Sequence, residues 1–257
     1  MKQFVISLLI SAMLLMSFGI NALAASPATP DFNDNDRIVY NEAVEVLSSL
    51  GIISGYEDGF FYPAKPVTRA EMAKMICCLL NEEEGSAMQG PSRFNDMISH
   101  WASPYVNWCS HKGIITGKNS STFDPNTTVT GVEAAKMLLV ALGYDPIIEG
   151  FTGPTWEASV LKAARKSGLL QEGSALKLHT PLTREEAAQM MLNALDARIV
   201  YYDFQLMINN GETVPNYDSF LIESNQRLYE QKYSGILQKI IRFNDEREPI
   251  ITWTVCL

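Results

Sequence analysis

A block of this chain returns at a fixed interval, and that constrains its fold more than any other feature. Phe32-Asn33-Asp34 recurs as Phe94-Asn95-Asp96, 62 residues on. At the same interval Gly51-Ile52-Ile53-Ser54-Gly55 recurs as Gly113-Ile114-Ile115-Thr116-Gly117. Phe61-x-Pro63 becomes Phe123-x-Pro125, and Val67-Thr68-x-x-Glu71 becomes Val129-Thr130-x-x-Glu133. Residues 32–80 need no gap to align with the second copy, and 18 of 49 positions are identical. A looser third copy carries Trp156, Gly168-Leu169-Leu170 and Thr183-Arg184-Glu185-Glu186, with a loop two residues shorter. Periodicity of this length means a supersecondary unit that buries its apolar face against neighbouring copies.

Each copy is expected to be helix, loop, helix. Ala43, Val44, Leu47 and Leu50 fall at helical spacing, and Gly51 follows as a C-terminal stop. Gly55, Asp58-Gly59 and Pro63 are turn residues. Thr68 with Glu71 three residues later predicts a capping box, followed by the apolar stripe Met72, Met75, Ile76 and Leu79. Thr130 with Glu133 and Thr183 with Glu186 repeat the device. The three copies are expected to pack around a shared core.

The flanks differ from the repeats. Lys2 is the only charge before Asp31, Phe4 to Ile20 is almost continuously apolar, and Ala22-Leu23-Ala24 is a small-x-small cleavage pattern. Residues 1–24 therefore read as a signal peptide and the chain as an exported one. An uncleaved anchor fits less well, since Phe4 to Ile20 holds three serines in 17 residues. After Arg198 the pattern changes. Ile199 to Phe204 and Ile250 to Val255 predict strands, Asn210-Gly211 a hairpin turn, and Phe220 to Ile241 a helix weakened by Gly235. The expected organisation is thus 1–24 signal peptide, 31–88, 92–146 and 150–198 repeats, and 199–257 a short α+β tail. That tail is either the opening of a larger region, a small interaction module or an appendage packed on the repeats.

Composition excludes several partners. With 20 Lys+Arg against 29 Asp+Glu the formal charge is −9, and loss of Lys2 with the signal makes it −10. Phosphate contacts need a basic face, so no nucleic acid is expected. Nor is an anionic membrane surface, once the signal is cleaved. Four cysteines, two of them the adjacent pair Cys77-Cys78, are expected as small hydrophobes rather than a disulfide framework. Asp31-x-Asn33-x-Asn35 with Ile38 and Glu42 has calcium-loop spacing, but Asp36 stands where glycine is required and no helix precedes it. Gly113-x-x-x-Gly117-Lys118-Asn119 is one spacer short of a phosphate loop. His100, His111 and His179 are scattered, and no Gly-x-Ser-x-Gly or His-Glu-x-x-His occurs. No metal, no cofactor and no catalysis are expected.

The repeated motifs resemble the S-layer homology family over about residues 31–198. That family is marked by Phe-x-Asp, a first helix opened by Trp, Gly-Ile-Ile-x-Gly, Phe-x-Pro and Thr-Arg-Ala-Glu. Copy one keeps Thr68-Arg69-Ala70-Glu71 intact, copy two has Thr130-Gly131-Val132-Glu133, and copy three lacks both the Phe-x-Asp aspartate and the Phe-x-Pro pair. The resemblance implies a mainly α fold, three helix-loop-helix repeats in a pseudo-threefold bundle. It also implies grooves between copies that bind a secondary cell-wall polysaccharide, often bearing pyruvate ketals, and so hold exported proteins on the bacterial surface. The alternative is an exported enzyme or S-layer lattice protein that uses the repeats only as its anchor.

Candidate polysaccharide-binding residues follow from the motifs. Arg69 and Arg184 would each open a helix, where a cation is disfavoured by about 0.3–1 kcal/mol. A ligand carboxylate there would offset that cost and suit an arginine fork. Trp101 and Trp156 start first helices and can stack on sugar faces, whereas copy one has Val39. Asp34 and Asp96 either cap first helices or accept sugar hydroxyls. Gly51 and Gly113 are backbone devices that also let a sugar approach. Glu71, Glu133 and Glu186 are candidates for the groove as well as caps.

Overall fold

The computed structural model describes residues 31–80, 90–203, 206–209, 212–215, 220–244 and 246–256. The signal peptide and the Asn210-Gly211 turn lie outside the described residues. The fold is mainly helical through three helix pairs. These are α1 (Asn41–Ser49) and α2 (Arg69–Leu79), α3 (Ser103–His111) and α4 (Gly131–Ala141), and α5 (Trp156–Lys166) and α6 (Arg184–Asp196).

The predicted helix ends hold atom by atom. At α2 the Glu71 amide donates to Thr68 Oγ1 at 3.2 Å, while the Thr68 amide donates to Glu71 Oε2 at 2.8 Å. The same reciprocal pair forms between Thr130 and Glu133 and between Thr183 and Glu186. Gly51 and Gly113 take φ of 71° and 73°, which lets Ile52 and Ile114 bond back to Leu47 and Cys109 at 2.9 Å. A Cβ at either glycine would meet nothing within 4 Å, so backbone conformation alone requires them.

Helices pack on the next pair rather than within their own. α2 lies on α3, α4 on α5, and α6 on α1. Closure continues at the centre. The Val129 amide donates to Val67 O at 3.0 Å, the Leu182 amide to Val129 O at 2.8 Å, and the Val67 amide to Leu182 O at 2.9 Å. Val67, Val129 and Leu182 are fully buried, so each backbone group there must find a partner, and each finds it in a different pair. Phe61, Phe94, Phe123 and Phe151 fill the surrounding core at 0% exposure.

The tail departs from expectation in one stretch. β1 (Arg198–Asp203) pairs antiparallel with β4 (Phe220–Arg227), β2 (Leu206–Asn209) with β3 (Glu212–Pro215), and β5 (Leu237–Phe243) with β6 (Pro249–Val255). The expected helix over Phe220 to Ile241 is instead β4, a five-residue helix α7 (Leu228–Lys232) and β5. Gly235, at φ 80°, turns the chain between α7 and β5, and cross-strand pairing such as Tyr202 with Leu221 and Ile240 with Thr252 overrides the weak helical spacing. Leu228, Tyr233 and Leu237, no more than 3% exposed, join the bundle's core. The Tyr233 hydroxyl sits 2.8 and 3.1 Å from the carbonyl oxygens of Cys78 and Leu79 at the end of α2, and burial raises its pKa. Cys77 and Cys109 are buried with sulfurs 3.6 Å apart across α2 and α3, Cys78 is half-buried, and Cys256 is exposed, unlike the small buried hydrophobe expected there.

Candidate functional site

Cyclic packing brings the start of each second helix beside the start of the next pair's first helix. The motif residues gather at these three boundaries, and each boundary is built differently.

At the α2–α3 boundary Arg69 is only 5% exposed. Its Nε donates to Phe123 O at 3.0 Å and its Nη2 to Thr116 O at 2.7 Å, both in the loop of the second pair. The guanidinium lies 4.4 Å from the Phe123 ring. Burial lowers its pKa, with Glu133, Asp124 and Asp96 acting in the opposite direction. The cost of a cation at a helix start is therefore offset by carbonyl oxygens of the neighbouring loop. The helix amides are likewise engaged: Arg69 N donates to Thr127 O at 2.8 Å, Ala70 N to Pro125 O at 3.0 Å, and Glu71 N to Thr68. These amides, expected to face an anion, instead join the two pairs. Among the described residues Nη1 of Arg69 makes no hydrogen bond. Trp101 stands at the same boundary with 55% exposure, against His100 and edge-on to Tyr105.

The α6–α1 boundary repeats the arginine device over a long sequence distance. Arg184 Nε donates to Phe61 O at 2.9 Å and Nη2 to Ser54 O at 2.7 Å, with the guanidinium over Phe61 and Tyr56. Burial is again the main cause of a lowered pKa. Glu185, which the sequence analysis passed over, extends to the start of α1. Its Oε2 accepts from Val39 N at 2.7 Å and Tyr40 N at 3.3 Å. Val39, at the position of Trp101, is 75% exposed. The signal for Glu185 lay in the alignment, since α2 and α4 have Ala70 and Val132 there.

The α4–α5 boundary has no arginine. A Cβ on Gly131 would stand 2.9 Å from the Leu178 backbone, so the shorter third loop occupies the space that an arginine stem needs. Val132 N still donates to Leu178 O at 2.9 Å. Trp156 is half-buried beneath Lys136, whose ammonium lies 5.2 Å from the ring and whose pKa burial lowers. The third loop also bounds a cavity of about 510 Å³ lined by Arg165, Gln171, Ser174 and Leu176 among others.

Asp34 and Asp96 do something other than cap first helices. The N-caps of α1 and α3 are Tyr40 and Ala102, with no side-chain cap. Asp34, 3% exposed, accepts from Phe61 N and Tyr62 N, both at 2.8 Å. Asp96 accepts from Phe123 N at 2.9 Å and Asp124 N at 2.6 Å. Tyr62 and Asp124 carry φ of 57° and 64°, so each aspartate holds a left-handed turn. Burial works to raise the pKa of Asp96, and the amides of Phe123, Asp124 and Asp96 itself, with the charge of His100, together more than offset it, leaving it below the usual carboxylate value. Glu71, Glu133 and Glu186 sit in their capping boxes, each with Oε2 taken by an N-cap amide. Asp34, Asp96 and the capping glutamates thus fix the frame in which Trp101 and the arginines lie. Among the described residues no cluster of acidic, histidine and cysteine side chains could hold a metal ion, and no helix is long and apolar enough to cross a membrane.

Comparison with known proteins shows what this chain is similar to. Residues 31–73 and 93–135 match the S-layer homology domain. The chain is 30% identical over 201 residues to the middle cell wall protein of Brevibacillus brevis, covering 76% of this chain and 18% of that protein. It is 29% identical over 205 residues to a surface layer protein of Brevibacillus choshinensis, covering 78% of this chain and 17% of that protein. A cellulosome-anchoring protein of Acetivibrio thermocellus is 31% identical over 108 residues, 41% of this chain and 24% of that protein. The chain therefore spans about a fifth of the length of the first two relatives. Two S-layer homology domain matches and these relatives together give the chain a cell-wall or cell-surface location.

Proposed function

We propose that this is an exported bacterial surface protein held non-covalently by binding a secondary cell-wall polysaccharide, with pyruvate ketals as its anionic substituents. In this reading α5 and α6 are a divergent third repeat, and the three pairs form a pseudo-threefold bundle. The cyclic helix packing, the three capping boxes and the ring of hydrogen bonds among Val67, Val129 and Leu182 support that symmetry.

The observation that carries the binding proposal is the exposed Trp101 indole at a boundary inside a matched domain. A flat aromatic left largely in water by an otherwise filled core is suited to stacking on a sugar. Arg69 stands at the same boundary, and Trp156 occupies the related place at the α4–α5 boundary. No catalysis, cofactor or nucleic-acid partner is proposed, in keeping with the acidic composition and the missing enzyme signatures. The short coverage of the relatives supports a second role for such a module, as the anchor of a larger lattice or cargo protein.

The test is co-sedimentation with purified cell walls before and after the polysaccharide is stripped. Binding is expected only to unstripped walls, and Trp101→Ala is expected to raise the apparent Kd for walls about tenfold, equivalent to ~1.4 kcal/mol, without moving the melting temperature. Equal binding to both wall preparations would overturn the proposal.

A further inference from the structure

Among the described residues, Glu185 is the one at the boundaries that reaches across to the start of a first helix and places a carboxylate on its amides. Its Oε2 lies 2.7 Å from Val39 N and 3.3 Å from Tyr40 N. At the α2–α3 boundary the corresponding position is Ala70, which is buried and has no polar atom to offer. There Ala102 N turns to His100 Nδ1 at 3.2 Å, and among the described residues Trp101 N makes no hydrogen bond. The α4–α5 boundary has Val132 at this position, also buried.

The three boundaries therefore differ in charge at one comparable spot. Two present apolar side chains there, and one presents a fixed anion. A second carboxylate entering beside Glu185 would meet like charge within a few ångströms and would find both amides already taken. The aromatic platform is missing as well, since Val39 replaces tryptophan. The tail adds a further contact on the same helix, where Trp253 N donates to Glu42 Oε1 at 3.3 Å.

We propose that Glu185 acts as a built-in ligand that closes the α6–α1 boundary to anionic sugars. This rests on the polysaccharide reading above. The experiment is calorimetric titration of the full mature chain with a glycoside carrying one pyruvate ketal. Glu185→Ala is expected to bind one more ligand per chain than the unaltered protein. Glu185→Gln keeps the size, removes the charge, and is expected to gain the same site with lower affinity. Thermal melts identify a variant that has failed to fold, and either variant suffices. Unaltered stoichiometry in a folded variant, with the parent protein still binding, would overturn the role of Glu185 and leave the polysaccharide reading in place. Absence of binding by the parent and both variants would overturn the polysaccharide reading, and this inference with it.

Discussion

The α2–α3 and α4–α5 boundaries solve one packing problem in two ways. In the first, a long cationic side chain crosses into the neighbouring loop and satisfies the carbonyls of Phe123 and Thr116. In the second, the loop has lost two residues and its backbone moves against Gly131, so Leu178 fills the volume directly. One boundary is joined by side-chain hydrogen bonds and the other by close backbone approach. A missing motif residue is thus no sign of a failed interface. It marks a place where the partner loop has changed to match.

That comparison is most severely tested by deleting the arginines. Arg69→Ala strips two carbonyls of charged donors inside a buried contact, and Arg184→Ala does the same at the α6–α1 boundary. Each is expected to cost about 3 kcal/mol, seen as a fall of roughly 6–12 °C in melting temperature. A fall of less than a degree would show that the arginines serve only a ligand. Next in size is Gly131→Arg, which gives the second pair the Thr-Arg start of the other two. It is expected to destabilise by about 2 kcal/mol, because the new side chain must displace Leu178. A stabilised variant in a urea titration would contradict the account of the shortened loop.

The tryptophans sharpen the contrast further. Trp156→Ala is expected to lower stability by about 1 kcal/mol through lost half-buried surface and the loss of its contact with Lys136. The exposed Trp101 should show no such cost, so identical melting shifts for the two alanine variants would remove the distinction between them. The smallest expected effect concerns acid. The pKa of Asp96 is depressed in the folded chain, so its contribution is present above the unfolded carboxylate pKa and is lost as pH falls through the folded value. Asp96→Asn should therefore flatten part of the loss of stability below about pH 4. Melting curves across that range with an unchanged slope would show that the Phe123 and Asp124 amides do not hold the carboxylate.

Much of the frame was legible in the sequence. Capping boxes and Gly51-type helix ends are local chemistry, decided within five residues, and the structure bears them out at each second helix and at Gly51 and Gly113. Roles that cross between pairs were not legible. The sequence places Arg69 at a helix start but cannot show that its guanidinium turns toward Thr116, 47 residues away. Asp34 looked like a cap because aspartate often is one, whereas its amide partners lie 27 and 28 residues on. In the tail, Phe220 to Ile241 lacked strong periodicity, and strand pairing decided its conformation.

The hydrogen-bond ring through Val67, Val129 and Leu182 sets an order of assembly. Within pair one, α2 lies on α3, but α1 has α6 as its helix partner, with contacts such as Phe61 O with Arg184, 123 residues apart, and Val39 N with Glu185, 146 apart. Such long-range closure raises contact order and slows folding. The first helix pair in the chain is thus the last to be completed. A chain truncated before Leu182 would leave Val67 without its acceptor, α1 without its neighbour and the loop carbonyls at Ser54 and Phe61 without a donor. The closed ring of three pairs is gained in a single late step, when the third pair arrives.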